Sequence, residues 1–378
     1  MTNLFSLPLV ESDDQPEVTD DLAELYRGFE AGYLIPLWTQ IGDLMPKQPR
    51  SKALPHLWRW SDLVALAARA GDLVPVGRGG ERRAIALANP GLGGRPFATP
   101  TLWAAIQYLM PHEDAPEHRH TQHAFRFVVE GEGVWTVVNA DPVAMRRGDF
   151  LPQAGWNWHA HHNGADAPMA WIDGLDIPFS YYTETQFFEF GREVLSDEEH
   201  ATPQFSRSER LWAHPGLVPM AADSTSRGTP LLAYRWAHTD EALAEQLSLE
   251  SEGYPATLEP GHAAVRFADP RSGADVLPTV RCEMHRIAAG ATTAPSQVVG
   301  SSVVQVFDGA GSVTVGDHTW EVERGDMFVV PSWAQFSVGA NPEQPNSESG
   351  ALDLFAFSDA PIIEAIGAHN LHTGGRNR

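Results

Sequence analysis

Very little in this 378-residue sequence could cross-link it, bind a polyanion or enter a bilayer. There is one cysteine, Cys282, which excludes an intramolecular disulfide framework and fits a reducing cytoplasm. Basic residues are scarce beside acidic ones, 26 Lys and Arg against 49 Asp and Glu, and the formal charge is −23. So anionic a surface is unsuited to nucleic acid, whose phosphates need clustered cations. It leaves room for a small anionic ligand, because a pocket can hold one arginine against the global field. No stretch approaches the roughly 18 apolar residues of a membrane helix. The N-terminus, MTNLFSLPLVESDDQPE, lacks the basic region of a secretory signal. The expectation is a soluble, cytoplasmic protein. Apolar residues at 43% and charged residues at 20% suffice for one large core or two ordinary ones.

Helical periodicity is also scarce. Thr19 with Asp20 and Asp21 reads as an N-cap with first-turn acids, and Leu22, Leu25, Tyr26 and Phe29 space an apolar face over Asp20 to Ala31. Ser61-Asp62 reads as the start of a second helix ending near Gly71. The Pro- and Trp-rich stretch between them reads as an extended arm. From Arg82 onward the chain offers short β-like runs punctuated by Gly, Pro, Asn and Asp.

What is present in quantity is an internal repeat. FVVEGEGVWTVV (Phe127 to Val138) parallels QVFDGAGSVTV (Gln305 to Val315), and MRRGDFLPQAGW parallels VERGDMFVVPSW. The interval is about 178 positions, which predicts a duplicated small antiparallel β-barrel. The expected organisation is a helical and extended arm over 1–95, a first barrel over 96–190, a connector with some helix over 191–275, and a second barrel over 276–378.

The first copy alone carries a concentration of imidazoles, in PEHRHTQHAF and GWNWHAHHN. Residues two apart share a strand face, so His118 and His120 face one way and His123 the other. His159 and His161 pair likewise on a later strand. A His-x-His pair alone suits a solvated strand end. Here the first pair precedes the Gly-x-Gly hairpin and His159 follows the Gly-Asp turn, which places both on adjacent strands. His118, His120 and His159 are therefore the expected ligands of one divalent metal. In the second copy their places fall to Ser296, Val298 and Phe336, so that copy is expected to be metal-free and structural. By parity Arg126 shares the His118/His120 face, but six residues beyond His120 is about 20 Å along an ideal strand. Contact would then need a bulge, barrel curvature or the full reach of the guanidinium. His161 shares the face of His159, and Trp103 and Gln107 share a face by their spacing of four.

The His-x-His strand, the later His and the Gly-Asp turns resemble the cupin superfamily, and the duplication resembles a bicupin. The usual cupin glutamate four or five residues after the second His is replaced by Ala124 and Phe125. With RRAIALANPG, TLWAAIQYLMP and WIDGLDIP, this departure resembles the gentisate 1,2-dioxygenase family of ring-cleaving enzymes. The resemblance is specific over Arg82 to Phe179. It implies one Fe(II) per chain with O2 as co-substrate, a homotetramer, and a substrate site lined by Arg82, Trp103, Gln107, Arg126, His161 and Asp173. Whether Arg82 or Arg83, and Asp173 or Asp176, face the pocket stays open.

Three neutral imidazoles leave the metal its full double charge. A substrate that chelates through a carboxylate and an ortho phenolate supplies the missing negative charge, which suits a salicylate-like acid such as gentisate. The resemblance implies ring opening between the carboxyl-bearing and adjacent hydroxyl-bearing carbons to give maleylpyruvate. His161 and Arg126 are the expected catalytic side chains. Salicylate or 1-hydroxy-2-naphthoate would meet the same chelating requirement. A non-enzymatic bicupin binding a small aromatic acid, or a Zn²⁺ or Mn²⁺ isomerase, are readings of other classes.

Overall fold

The period-two runs and turn residues resolve into twenty strands in a computed structural model that describes residues 19–74, 83–192, 203–221 and 228–368. Two compact units divide after Ser51. The first holds the helix Asp20–Ala31, which begins where expected: Thr19 Oγ1 accepts from the Leu22 N–H at 3.3 Å. Everything below concerns the second unit.

Residues 52–95, expected to belong to the arm, supply an edge strand to each half. These are β1 (His56–Trp58) and β2 (Ala84–Ala86). The first copy continues as β3 (Trp103–Leu109), β4 (Asp114–His120), β5 (Ala124–Glu130), β6 (Glu132–Val138) and β7 (Asp141–Arg146). It ends with β8 (Phe150–Gln153), β9 (His159–Asn163), β10 (Met169–Leu175) and β11 (Phe188–Phe190). The second copy comprises β12 (His262–Arg266), β13 (Arg281–Ala288), β14 (Ser296–Gln297), β15 (Ser302–Asp308) and β16 (Ala310–Val315). It closes with β17 (His318–Glu323), β18 (Met327–Val330), β19 (Gln335–Ala340) and β20 (Ala351–Ser358).

The first half is built of two sheets, β2-β3-β10-β5-β8 and β11-β4-β9-β6-β7. The second is built of β1-β18-β15-β20-β13-β12 and β14-β19-β16-β17, the same order except that β1 and β11 have no counterpart strand in the other half. Each half is thus an antiparallel jelly roll, as expected, whose two sheets face each other without closing into one barrel. From β3 on, the chain crosses repeatedly from one sheet to the other, as β4 to β5 and β7 to β8 do, and among the described residues no ladder joins the two. Leu109, Val128, Leu151, Met169 and Trp171 from one sheet meet Val134, Val143 and Met145 from the other inside the first half.

Sheets β2-β3-β10-β5-β8 and β1-β18-β15-β20-β13-β12 pack back to back. Phe125, Phe127 and Phe150 meet Phe307, Phe355 and Phe357, with the Phe127 and Phe355 rings stacked at 4.0 Å. A sheet buried on both faces reads as a continuous apolar run, which is why FRFVV lacks alternation. Arg126 lies between two phenylalanines that face the other half, so its side chain is directed into its own.

The repeat is longer than its strands. Arg59-Trp60 opens the helix Trp60–Leu73, and Arg235-Trp236 opens the helix Trp236–Ser251 in the stretch read as a connector. The two docking arrangements are reciprocal. Asp326 of the second half accepts from the Trp60 N–H at 3.0 Å and pairs with Arg59, while β1 joins β18. Asp149 of the first half accepts from the Trp236 N–H at 3.0 Å and pairs with Arg235, and Tyr234 bridges to Phe150. The helix accordingly begins one residue before the Ser61-Asp62 start expected. The helix starts at Trp60 because a carboxylate distant in sequence supplies the cap. Each Gly-Asp turn thus anchors the Arg-Trp helix of the other copy.

Candidate metal centre

β4 and β9 are neighbours, and His118 lies directly opposite His159. His120 follows on the same face. The three side chains are 2%, 4% and 0% exposed, and their candidate ligating atoms lie within 4.8 Å of one another. No other set of His, Cys, Asp or Glu among the described residues forms such a group. Each Nδ1 meets a backbone carbonyl: Pro116 O at 2.8 Å from His118, Gln122 O at 2.9 Å from His120 and Asn157 O at 3.0 Å from His159. A carbonyl only accepts, so these contacts favour the proton on Nδ1 and leave Nε2 as a lone pair. Three such imidazoles fit a borderline divalent ion, and three ligands from the protein leave positions for a substrate. Phe188 of β11 stacks on the His118 ring at 5.2 Å and covers it from outside.

The aligned positions of the second half have lost this chemistry. Ser296 stands opposite Phe336, as His118 stands opposite His159. Metal is therefore expected to saturate near one ion per chain in a titration followed by elemental analysis. A second tight ion that survives replacement of His118 would contradict that count.

Arg126 reaches the centre by a route other than the one expected. The chain turns at residues 121–123, so His120 and Arg126 lie on strands of opposite sheets and the 20 Å separation along one strand never arises. Arg126 is 1% exposed and donates through Nη1 to Gln153 Oε1 at 2.7 Å. The Gln153 amide nitrogen lies 2.7 Å from His159 Nδ1 and 3.3 Å from its Nε2. On its other side Arg126 Nε lies 3.8 Å from Asp173 Oδ1, and the two residues face each other across β5 and β10. Asp173 also accepts from the Trp171 indole at 3.1 Å, and the Trp171 ring lies 5.5 Å from that of His161.

Of the residues left open, Asp173 belongs to this cluster. Asp176 serves the framework, accepting from the His123 N–H at 3.0 Å and from Thr279 Oγ1 at 2.6 Å, and burial pushes its carboxyl upward. Arg83 is committed to Glu113. Arg82 lies outside the described residues. Gln107 is 1% exposed, and its Oε1 has no hydrogen-bond partner among the described residues, so an acceptor is available there. Trp103 is half-buried at the other end of β3. His161 is fully buried, with its ring 6.0 Å from that of His159. Sequence reasoning passed over Gln153 and Trp171. The available signal was parity: Gln153 shares a face with the core residue Leu151, where a polar side chain needs a partner.

Residues 105–177 match the cupin domain. The chain is 57% identical over 346 residues to a gentisate 1,2-dioxygenase of Streptomyces sp, covering 92% of this chain and 94% of that one. It is 30% identical to a 5-aminosalicylate 1,2-dioxygenase of Comamonas sp, covering 92% and 89%. Among solved structures, salicylate 1,2-dioxygenase from Pseudoaminobacter salicylatoxidans in its gentisate adduct superposes with a TM-score of 0.90. That match has 57% identity and covers 96% of this chain and 97% of the other. With the duplicated jelly roll and the single buried imidazole triad, these likenesses place the chain in the gentisate 1,2-dioxygenase family of ring-cleaving cupin dioxygenases.

Proposed function

We propose that the protein is an Fe(II)-dependent dioxygenase that opens gentisate with O2 to give maleylpyruvate, both oxygen atoms entering the product. The observation that carries this reading is the buried imidazole triad with Arg126, Gln107, His161 and Asp173 gathered in the same half. The metal, held by His118, His120 and His159, supplies a divalent charge for a chelating 2-hydroxybenzoate and a path for electrons between ring and O2.

The chain's own side chains do the rest. The Arg126 guanidinium pairs with the substrate carboxylate and is oriented by Asp173 and Gln153. Gln107 Oε1 accepts from a ring hydroxyl. His161 takes up and returns the phenolic proton, and Trp103 packs against the ring. Arg82 is proposed as a second cation for the carboxylate. Burial of the ligands excludes bulk water and strengthens each of these contacts. Salicylate is the second reading, since the solved relative that superposes so closely is itself a salicylate 1,2-dioxygenase. The same reading carries a cytoplasmic homotetramer, which sedimentation of the purified protein tests.

The deciding experiment reconstitutes the metal-free protein with Fe(II), offers a panel of hydroxybenzoates and follows oxygen uptake and product absorbance. Oxygen uptake with gentisate is expected. Absence of uptake with every member would leave a binding protein, and activity restored by Zn²⁺ alone would leave an isomerase. Arg126→Ala should lower kcat/KM for gentisate while iron content stays normal. A charge-assisted hydrogen bond contributes about 1.5–3 kcal/mol, or roughly a ten- to hundred-fold loss. Arg126→Lys should also lose efficiency, because an ammonium cannot reproduce the bidentate fork. Unchanged kinetics in both variants would move carboxylate recognition to another cation.

A further inference from the structure

We propose that Gln153 is a positioning residue that joins the cation for the substrate carboxylate to a metal-binding imidazole, so that one amide governs both metal retention and substrate anchoring. The substrate half of this statement rests on the function proposed above, whereas the metal half rests on geometry alone. Gln153 ends β8 and is 1% exposed. Its register partner is Ala124, and that of Arg126 is Leu151, so Gln153 and Arg126 are diagonal neighbours on one face.

The orientation of the amide is dictated by its partners. A guanidinium only donates, so the oxygen must face Arg126, at 2.7 Å. The nitrogen is thereby turned to His159, 2.7 Å from one ring nitrogen and 3.3 Å from the other. With Nδ1 already donating to Asn157 O, the amide nitrogen does not hydrogen-bond to the ring; packed against the ring edge, it blocks rotation of the imidazole about its own axis. Ring rotation decides where the Nε2 lone pair is directed, and residues that orient a metal-bound imidazole in this way affect metal affinity strongly.

The second half provides an internal comparison. Strand register makes Val304 the counterpart of Arg126, Phe328 of Leu151 and Val330 of Gln153, and Ala356 takes the place of Asp173. The copy without imidazole ligands has therefore also lost every member of this polar chain. If Gln153 served only to fill the sandwich, nothing would tie its replacement by valine to the loss of ligands across the interior.

Two variants test the proposal. Gln153→Met keeps the length and removes both polar functions. Gln153→Glu keeps an acceptor for Arg126 and offers His159 a carboxylate for its Nδ1–H. The readouts are Fe(II) transfer from the substrate-free protein to a chelator, KM and kcat for gentisate, and thermal unfolding of the metal-free protein. Gln153→Met is expected to weaken metal retention by about ten- to hundred-fold and to raise KM more than it lowers kcat. Gln153→Glu is expected to restore metal retention to within a few-fold. Wild-type metal retention in Gln153→Met, or a defect that Gln153→Glu fails to relieve although both variants unfold normally, would overturn the proposal. An unchanged KM beside weakened metal retention would refute the link to substrate. A protein that retains metal through Gln153 but consumes no oxygen with gentisate would refute the function and leave the metal half standing.

Discussion

Replacement of His118, His120 or His159 by alanine in the Fe(II)-reconstituted protein is expected to strip most of the added iron and to reduce oxygen uptake by more than about 100-fold. Outer partners of a metal site already cost ten- to hundred-fold when removed, so a direct ligand must cost more. The rings are close enough to act as one unit, with centroid separations of 4.0 Å for His118–His159, 5.1 Å for His120–His159 and 5.8 Å for His118–His120. Two remaining imidazoles would be too few for tight retention. The cupin glutamate position supplies no replacement ligand, since it is occupied by Ala124 and Phe125, both buried. Elemental analysis of the three single variants after dialysis, with the unfolding temperature of each metal-free form, provides the check. Near-normal iron in all three would remove the triad as the metal site.

Gly325→Ala is expected to destabilise the protein by about 2–6 kcal/mol, without touching the metal ligands. Two effects add. Gly325 has φ +94°, where a side chain strains the backbone by roughly 1–3 kcal/mol. A Cβ there would also stand 2.2 Å from Cγ of Trp60, and forcing atoms into such a packed place costs about 1–3 kcal/mol more. Trp60 cannot readily yield, because its ring is buried and its N–H is held by Asp326. Gly148, at φ +82°, meets Trp236 in the same way at 2.6 Å, as the reciprocal arrangement of the two helices requires. Gly316→Ala is the control: its φ is +57° and its Cβ would meet nothing within 4 Å, so only backbone strain of about 1–2 kcal/mol remains. Urea unfolding of the three proteins separates the terms. If Gly325→Ala is no worse than Gly316→Ala, the helix of one copy does not bear on the Gly-Asp turn of the other as described.

The features legible in the sequence were local ones. Gly-x-Gly and Arg-Gly-Asp turns recur in both copies because a hairpin or a tight corner needs particular backbone angles, and few residues allow them. His-x-His offered a candidate ligand pair because strand geometry places residues two apart on one face. From these came the duplicated β architecture, the three imidazoles and the loss of their counterparts at Ser296, Val298 and Phe336. Arg126 was singled out by the same parity, yet its meeting with the triad depends on the chain leaving one sheet at residues 121–123 and returning in the facing one. Parity carries no information across such a turn. Gln153 gained its role only when β8 was laid beside β5 and faced β9, and Asp173 was separated from Asp176 only by which of them Thr279 and the His123 N–H had already engaged. The exchange of Arg-Trp helices was likewise decided in three dimensions. Asp326 and Asp149 cap helices that begin far from them in sequence, and a cap supplied through space leaves no periodic trace in the segment it starts. Short-range sterics determined the elements and the ligands, while long-range packing of two sheets per half determined which polar side chains those ligands would meet.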